Sequence, residues 1–377
     1  VAGEDMNRVM IEKMVQLFRK YVYFEEERFY YLCPIYVLLT HVYDGVFDEL
    51  PYLQIYGPKG TGKSRLGDIF AGLCLNPISS SEISTPFLYR SVDRNPIGIG
   101  ATFIIDEADD LSNPKQHNPL LRILRSGYRR TGNVGRCNPN LEAVQFHTFC
   151  PKILINQSGL TDQALESRTI PIPMIKSPVR LEKFRFSKAE KEFKEVKDLI
   201  GPFSDEHRDI ITDLYNSFQG IEGLSDREDE IWTPIIIIAE VLDTGFVEPH
   251  IKEDMRKLAR KVVFQRKIKQ LVENRDAQIL ESTRVYIDET NPLDSSGLYV
   301  GEGLWRFIKD RCGIPDLKLE AVSRTLNRYN IIKGVKRLRL GKEIKDQEIE
   351  VQRSCYLIDR AKLASLTEEY HEGGEIL

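Results

Sequence analysis

The residues best suited to chemistry in this chain are eight consecutive ones, Gly57-Pro58-Lys59-Gly60-Thr61-Gly62-Lys63-Ser64. They match the pattern G-x-x-x-x-G-K-[ST], in which glycines let backbone N–H groups turn inward around phosphate oxygens. In such a loop Lys63 reaches the β- and γ-phosphates of a nucleoside triphosphate, and Ser64 holds magnesium. A chance glycine-rich turn is the competing reading, but it leaves the surroundings of the loop unexplained. The run Tyr52-Leu53-Gln54-Ile55-Tyr56 is strand-like, and Leu66, Ile69, Phe70 and Leu73 fall at helical spacing. A strand therefore enters the loop and a helix leaves it, with the helix dipole favouring an anion at its start.

Two further apolar runs end in polar residues. Thr102-Phe103-Ile104-Ile105 runs into Asp106-Glu107, about forty residues beyond the loop. A continuous apolar run fits a central parallel strand, and ligands of open α/β sheets bind at the carboxyl ends of the strands. Asp106 is then expected to polarise the magnesium shell and Glu107 to take the proton from the attacking water. Taken alone, an acid after an apolar run is more often a strand leaving the core; its distance from the loop gives it weight. Lys152-Ile153-Leu154-Ile155 ends in Asn156, whose amide is suited to sensing the γ-phosphate or orienting the water, although Asn at a strand end is also a common turn residue.

Next comes Ala164-Leu165-Glu166-Ser167-Arg168-Thr169-Ile170-Pro171-Ile172-Pro173-Met174, read as a helix end, an arginine and a last strand. With these motifs the chain resembles the AAA+ ATPases, many of which carry an arginine finger just before the final core strand. The resemblance implies ATP and Mg2+ as cofactors. It also implies that Arg168 reaches into a neighbouring subunit's site and stabilises transition-state charge there. A surface arginine paired with Glu166 is the alternative. A finger supplied in trans requires an oligomer.

Residues 111 to 141 contain no Asp or Glu but include Lys115, Arg122, Arg125, Arg129, Arg130 and Arg136. With a formal net charge of -4 and a pI near 6.0 the chain is not basic as a whole, so contact with nucleic acid has to come from such a local patch. A helix-like stretch from Pro119 to Gly127 runs into Tyr128-Arg129-Arg130-Thr131-Gly132-Asn133-Val134-Gly135-Arg136, whose glycines and Asn suggest a hairpin. In ring helicases that this chain resembles, an insertion ahead of the sensor strand lines the pore. There Arg129, Arg130 and Arg136 would grip phosphates and Tyr128 would stack on a base. Pairing of these arginines with acids of an adjacent subunit is the competing reading.

These groups need a framework, and 377 residues with 41% hydrophobic and 29% charged content allow two or three domains. The longest apolar stretch, Trp232 to Leu242, is interrupted by Thr233, Pro234 and Glu240 and is too short for a membrane span. Six scattered cysteines without a Cys-x-x-Cys pair argue for reduced thiols in a cytoplasmic protein and against zinc. Val1 is not an initiator methionine, which leaves room for chain upstream. The mixed charges of residues 176 to 200 read as a solvated connector. The stretches Ile231 to Leu242 and Met255 to Val263 read as helices of a lid over the nucleotide, where Arg256 or Arg260 could serve as a second sensor. The order helix, helix, strand, strand across Gly303 to Ile308, Leu317 to Tyr329, Ile331 to Leu340 and Val351 to Ile358 suggests a winged helix. Arg324, Arg328, Lys333, Lys336, Arg337 and Arg339 suit it to DNA, although winged helices also serve as plain protein-interaction modules.

Gly127-Tyr128-Arg129-Arg130, Phe149-Cys150-Pro151-Lys152, Ser167 to Ile172, Trp232-Thr233-Pro234 and the segment from Leu317 to Tyr329 together resemble phage- and plasmid-type replication ATPases over roughly residues 40 to 370. Members of that family are similar to helicases of mobile elements and are often found with a primase. Asn156 departs from any fixed pattern, since that strand end varies in the family. The expected fold is α/β: an AAA+ P-loop core with a parallel sheet, an α-helical lid and a C-terminal winged helix. The expected boundaries are 1–45 for an N-terminal helical segment, 46–178 for the core, 179–285 for the lid and 286–377 for the winged helix. The expected activity is that of a ring motor, hexameric, acting as a helicase or translocase on single-stranded or forked DNA with a primase or other replication partner. A loader or remodeller that switches a protein partner without unwinding is the alternative.

Overall fold

Continuous apolar runs make the central sheet, because a strand covered on both faces has no solvent side to alternate with. The computed structural model describes residues 2–81, 83–93, 100–108, 119–137, 142–273, 275–344 and 347–368. Five parallel strands, β1 (Tyr52–Tyr56), β2 (Pro77–Ser80), β3 (Thr102–Ile105), β6 (Lys152–Asn156) and β7 (Thr169–Pro173), lie in the order β2-β3-β6-β1-β7. Every residue of β3 and β6 is buried, whereas the edge strand β2 alternates between exposed and half-buried residues. β1 sits between β6 and β7 with Ile55 opposite Ile155 on one side and Ile172 on the other. The carboxyl ends of β1, β3 and β6 consequently emerge side by side.

Helices pack around this sheet. The first is α1 (Ala2–Tyr21), followed by α2 (Phe29–Val42), in which only Tyr31 and His41 escape burial. A helix that is apolar all round belongs inside a core. The Tyr36 hydroxyl on α2 lies 3.0 Å from the Lys152 carbonyl oxygen and ties the helix to the start of β6. The helix after the loop, α3 (Lys63–Leu73), lies so close to the sheet that a Cβ at Gly67 would come within 2.7 Å of the Ile155 side chain. Shorter helices α4 (Thr85–Asp93), α5 (Pro119–Ser126) and α6 (Gln163–Glu166) fill the connections. Between β3 and β6 the strands β4 (Asn133–Cys137) and β5 (Ala143–His147) form an antiparallel hairpin of their own, with Val134 opposite Phe146. That hairpin rests on α4, where the Tyr89 and Phe146 rings lie 4.7 Å apart.

Three longer helices follow: α7 (Phe186–Ser217), α8 (Asp226–Asp243) and α9 (Ile251–Glu273). A capping box starts α8, with the Ser225 amide donating to the Glu228 carboxylate at 2.9 Å, and three acids occupy its first turn where the dipole favours them. Its run from Ile231 to Leu242 is buried apart from Glu240 and drives the helix into the core formed with α1, α2 and α7. Each fully buried Ile of this run contributes about 1.5–3 kcal/mol, far more than propensity alone.

The chain divides into two units, 1–262 and 263–377. In the first, α1 and α2 share one apolar core with the sheet and with α7 and α8. In the second, β8 (Leu298–Val300), β9 (Ile332–Ile344) and β10 (Gln347–Ile358) form an antiparallel sheet in the order β8-β10-β9. Helices α10 (Arg275–Glu289), α11 (Gly301–Cys312), α12 (Leu319–Arg328) and α13 (Arg360–Glu368) complete this unit around Leu304, Ile308, Val322, Leu326 and Tyr356. The Trp305 indole donates to the Leu317 carbonyl at 2.8 Å, and the Ser323 and Tyr356 hydroxyls meet at 2.6 Å, which holds α12 against the sheet. The boundary falls between Val262 and Val263, so α10 packs with α11, α12 and α13. Among the described residues no helix is long and apolar enough to cross a membrane.

Candidate functional site

The loop between β1 and α3 owes its path to three glycines with positive φ: Gly57 at 150°, Gly60 at 80° and Gly62 at 95°. At Gly57 the constraint is also steric, since a Cβ would sit 2.2 Å from the backbone oxygen of Met174, just past β7. The Thr61 hydroxyl donates to the Pro58 carbonyl at 2.9 Å, and the Lys63 ammonium donates to Gly57 and Pro58 carbonyls at 2.6 and 2.9 Å. Lys63 is thus held across the mouth of the loop. Ser64 follows in the first turn of α3, where backbone N–H groups have no intrahelical acceptor and suit an anion.

Opposite the loop, the Asp106 amide donates to the Ser80 carbonyl on β2 at 3.0 Å, which fixes where β3 ends. Glu107 then adopts φ of 55°, a left-handed conformation costly for a residue with a side chain, and its amide donates to Asp106 Oδ1 at 2.9 Å. Asn156, 1% exposed, ends β6 in register with Tyr56, the last strand residue before the loop. Lys59 to Ser64, Asp106, Glu107 and Asn156 all line one cleft of about 600 Å³. Asp68 on α3 lies nearby, its carboxyl pushed above the ordinary range by burial and then by the charge of Asp106.

Other residues of this cleft carry no motif. Tyr21 and Val22 line it from the end of α1, Arg65 from α3, and Lys176 and Leu181 from the segment after β7. Arg65 donates to the Tyr21 carbonyl at 3.2 Å, while the Tyr21 hydroxyl meets Glu192 on α7 at 3.0 Å. Strand and loop patterns cannot reveal the Arg65–Tyr21 and Tyr21–Glu192 contacts, because their partners lie 44 and 171 positions apart. Arg256 and Arg260 lie half-buried on α9 and are not among the residues lining the cleft.

Arg168 is also outside the cleft. Its guanidinium donates to the Ala164 carbonyl and, at 3.3 Å, to the Ser167 hydroxyl; it makes no ion pair among the described residues, although its charge helps hold down the Asp162 carboxyl. It rests 4.8 Å from the centroid of the Tyr128 ring, and burial, followed by repulsion from Arg227, lowers its pKa.

Of the four residues expected to touch DNA, three differ from the sequence expectation. Tyr128 is 2% exposed, with the guanidiniums of Arg129, Arg168 and Arg227 within 5.5 Å of its ring centroid, so no ring face is open to a base. Arg129 makes a two-oxygen contact to Glu230 at 2.8 and 3.0 Å with Glu49 at 3.6 Å, and Arg130 pairs with Asp48 at 3.4 Å. The acids come from the same chain. Residues 127–132 form the turn leading into the hairpin, which itself begins at Asn133. Arg136, exposed on β4, lies on the hairpin, with its guanidinium 5.4 Å from the Tyr89 ring centroid. Lys115 falls outside the described residues.

The lysine of the Phe149-Cys150-Pro151-Lys152 stretch closes the base of this insertion. Lys152 is fully buried at the start of β6, and its ammonium donates to the carbonyls of Gly127, Thr148 and Cys150 at 3.2, 2.8 and 3.0 Å. Burial lowers its pKa.

No protein-family model and no curated protein matches the chain. Among solved structures it is similar to the apo C-terminal region of NrS-1, at 13% identity over 93% of this chain and 76% of that one, with a TM-score of 0.42. It is also similar to the active helicase Cch of SCCmec type IV, at 10% identity over 96% and 68% of the two chains and a TM-score of 0.40. The JCV helicase is similar at 15% identity over 68% and 66%, with a TM-score of 0.28.

Proposed function

We propose that this chain is an AAA+ ATPase that assembles as a ring and couples ATP hydrolysis to movement on DNA, as a replicative-type helicase or translocase. One observation carries the ATPase reading. A glycine-rich loop, a lysine held across it, and the acids and amide of two neighbouring strands all line a single cleft, although they come from segments up to a hundred residues apart. The donor set suits ATP with Mg2+: backbone N–H groups and Lys63 for phosphate, and Ser64 and Asp106 for a hard cation that prefers few protein ligands and keeps phosphate oxygens and water. Among the described residues no group of three or more His, Cys, Asp or Glu side chains forms a metal site by itself, which agrees with a metal that arrives with the nucleotide. When bound, that ion supplies charge neutralisation along the phosphates. Glu107, aimed by its left-handed backbone, accepts the proton of the attacking water, and Asn156 orients that water from the next strand.

Arg168 fits the role of a finger acting in trans. It stands outside its own cleft without an ion pair among the described residues, and a ring would bring it to a neighbour's γ-phosphate. Helices α7 to α9 serve as the lid, and the second unit, with its order α10, β8, α11, α12, β9, β10, has the connectivity of a winged helix. Contact with DNA is assigned to the β4–β5 hairpin through Arg136, since Arg129 and Arg130 already have acid partners.

The test is the ATPase rate as a function of protein concentration, with and without single-stranded DNA. Steep concentration dependence and stimulation by DNA are expected. A rate that DNA leaves unchanged at every concentration would instead favour a loader or remodeller acting on protein, and a rate independent of concentration would remove the ring.

A further inference from the structure

Three guanidiniums surround the buried Tyr128 ring, and their neutralisation is unequal. Arg168 lies 4.8 Å from the ring centroid, Arg129 5.2 Å and Arg227 5.5 Å. Cations are attracted to an aromatic face, but they repel one another there unless anions intervene. Two acids are at hand, Glu49 and Glu230. Arg129 takes both oxygens of Glu230 within 3.0 Å and also approaches Glu49. Arg227, in the first turn of α8, is left with a single approach to Glu230 at 3.9 Å, beyond hydrogen-bond distance. Arg168 makes no ion pair with a carboxylate among the described residues: the acid its charge reaches, Asp162, is already taken by Arg125, and Arg227 acts against its protonated form.

One ring therefore holds two incompletely neutralised guanidiniums, both within 5.5 Å of its centroid and both partly open to solvent. Two guanidiniums seated on one ring and short of acid partners suit an oxyanion, because a phosphate group can accept from more than one fork at once. We infer that Arg227 is a second cation of the trans site: with Arg168 it clamps the terminal phosphates of a nucleotide held by a neighbouring copy of this chain. This rests on the reading of Arg168 as a trans finger. Tyr128 is the shared seat that fixes both side chains.

The experiment is ATP hydrolysis by mixed assemblies. Arg227→Ala should lower turnover on the order of 10- to 100-fold, less than removal of a whole arginine finger. It should leave binding of a fluorescent ATP analogue unchanged, since Arg227 is not part of its own cleft. Arg227→Gln keeps the length and polarity of the side chain for packing and should be equally slow, while Arg227→Lys should recover part of the rate. Mixing Arg227→Ala with Lys63→Ala chains, inactive alone but carrying both arginines intact, should restore turnover at the mixed interfaces. Wild-type turnover by Arg227→Ala and Arg227→Gln overturns the inference, and so does a slow Arg227 variant that Lys63→Ala does not rescue while Arg168→Ala is rescued. If Arg168→Ala is not rescued either, the trans-finger reading itself has failed.

Discussion

The amide of Glu107 donates to Oδ1 of its neighbour Asp106 at 2.9 Å, from a backbone held at φ of 55°. Two acids in sequence would ordinarily diverge along a strand, but the left-handed turn keeps both on the rim of one cleft. Backbone strain at a site facing a ligand is retained when the geometry is useful. Glu107→Gln should keep ATP affinity and lose on the order of 100-fold or more in turnover, read by phosphate release. Glu107→Gly should also lose turnover and yet be more stable by about 1 kcal/mol, because glycine adopts this φ without penalty. A less stable glycine variant would show that the conformation carries no strain.

Two glycines of the loop should respond differently to the same change. Gly57→Ala drives a Cβ to 2.2 Å from a backbone oxygen that cannot swing away, and should cost about 2–3 kcal/mol. Gly60→Ala meets nothing within 4 Å and bears only its positive φ, so about 1 kcal/mol is expected. Denaturant unfolding of the two variants decides, and a reversed order would mean that Met174 moves freely.

Asp162 caps α6, accepting from the Leu165 amide at 2.7 Å, and pairs with Arg125. Burial pushes its carboxyl up, but the Arg125 hydrogen bond and the Leu165 amide outweigh it and hold the group below the ordinary range. A depressed carboxyl contributes stability above its unfolded pKa, and that contribution fades as pH falls through the folded value. Asp162→Asn keeps the cap and should cost below about 1 kcal/mol at neutral pH. Its deficit relative to wild type should vanish as the medium becomes acidic below about pH 4. A deficit that persists in acid would assign the effect to packing.

Lys152→Met leaves three buried carbonyls without their donor and should cost on the order of 2 kcal/mol, with faster proteolysis in the hairpin. Burial depresses the lysine, so its unfolded form binds protons more tightly than the folded one. Wild-type stability relative to the non-titrating methionine should therefore rise with pH through the alkaline range up to about 10.5. Equal stability of the two proteins at neutral pH would mean that relief from burying a charge offsets the lost hydrogen bonds.

The strands β3 and β6 are legible in the residues because each pairs a continuous apolar run with a polar end, and β1 because it leads straight into the glycine-rich loop, patterns that need no distant information. The strand β2, with the sequence Pro-Ile-Ser-Ser, carries no such run and takes its place through pairing with β3. Tyr128 beside arginines reads as an open stacking platform, yet it is enclosed because Glu49 and Glu230 arrive from about 80 and 100 positions away to neutralise Arg129. Tyr21 and Val22 were equally invisible as cleft residues. An unremarkable helix end gains its place at the site only through the packing of α1 on α3 and α7.

Finally, β3 and β6 are hydrogen-bonded neighbours, with Phe103 opposite Lys152, although nearly fifty residues of chain separate them. The Lys152 ammonium ties Gly127 to Thr148 across the foot of the β4–β5 hairpin. With its foot fastened in this way, the hairpin is insulated from the sheet: changes on the exposed residues of β4 and β5 should leave the register of β3 against β6 untouched.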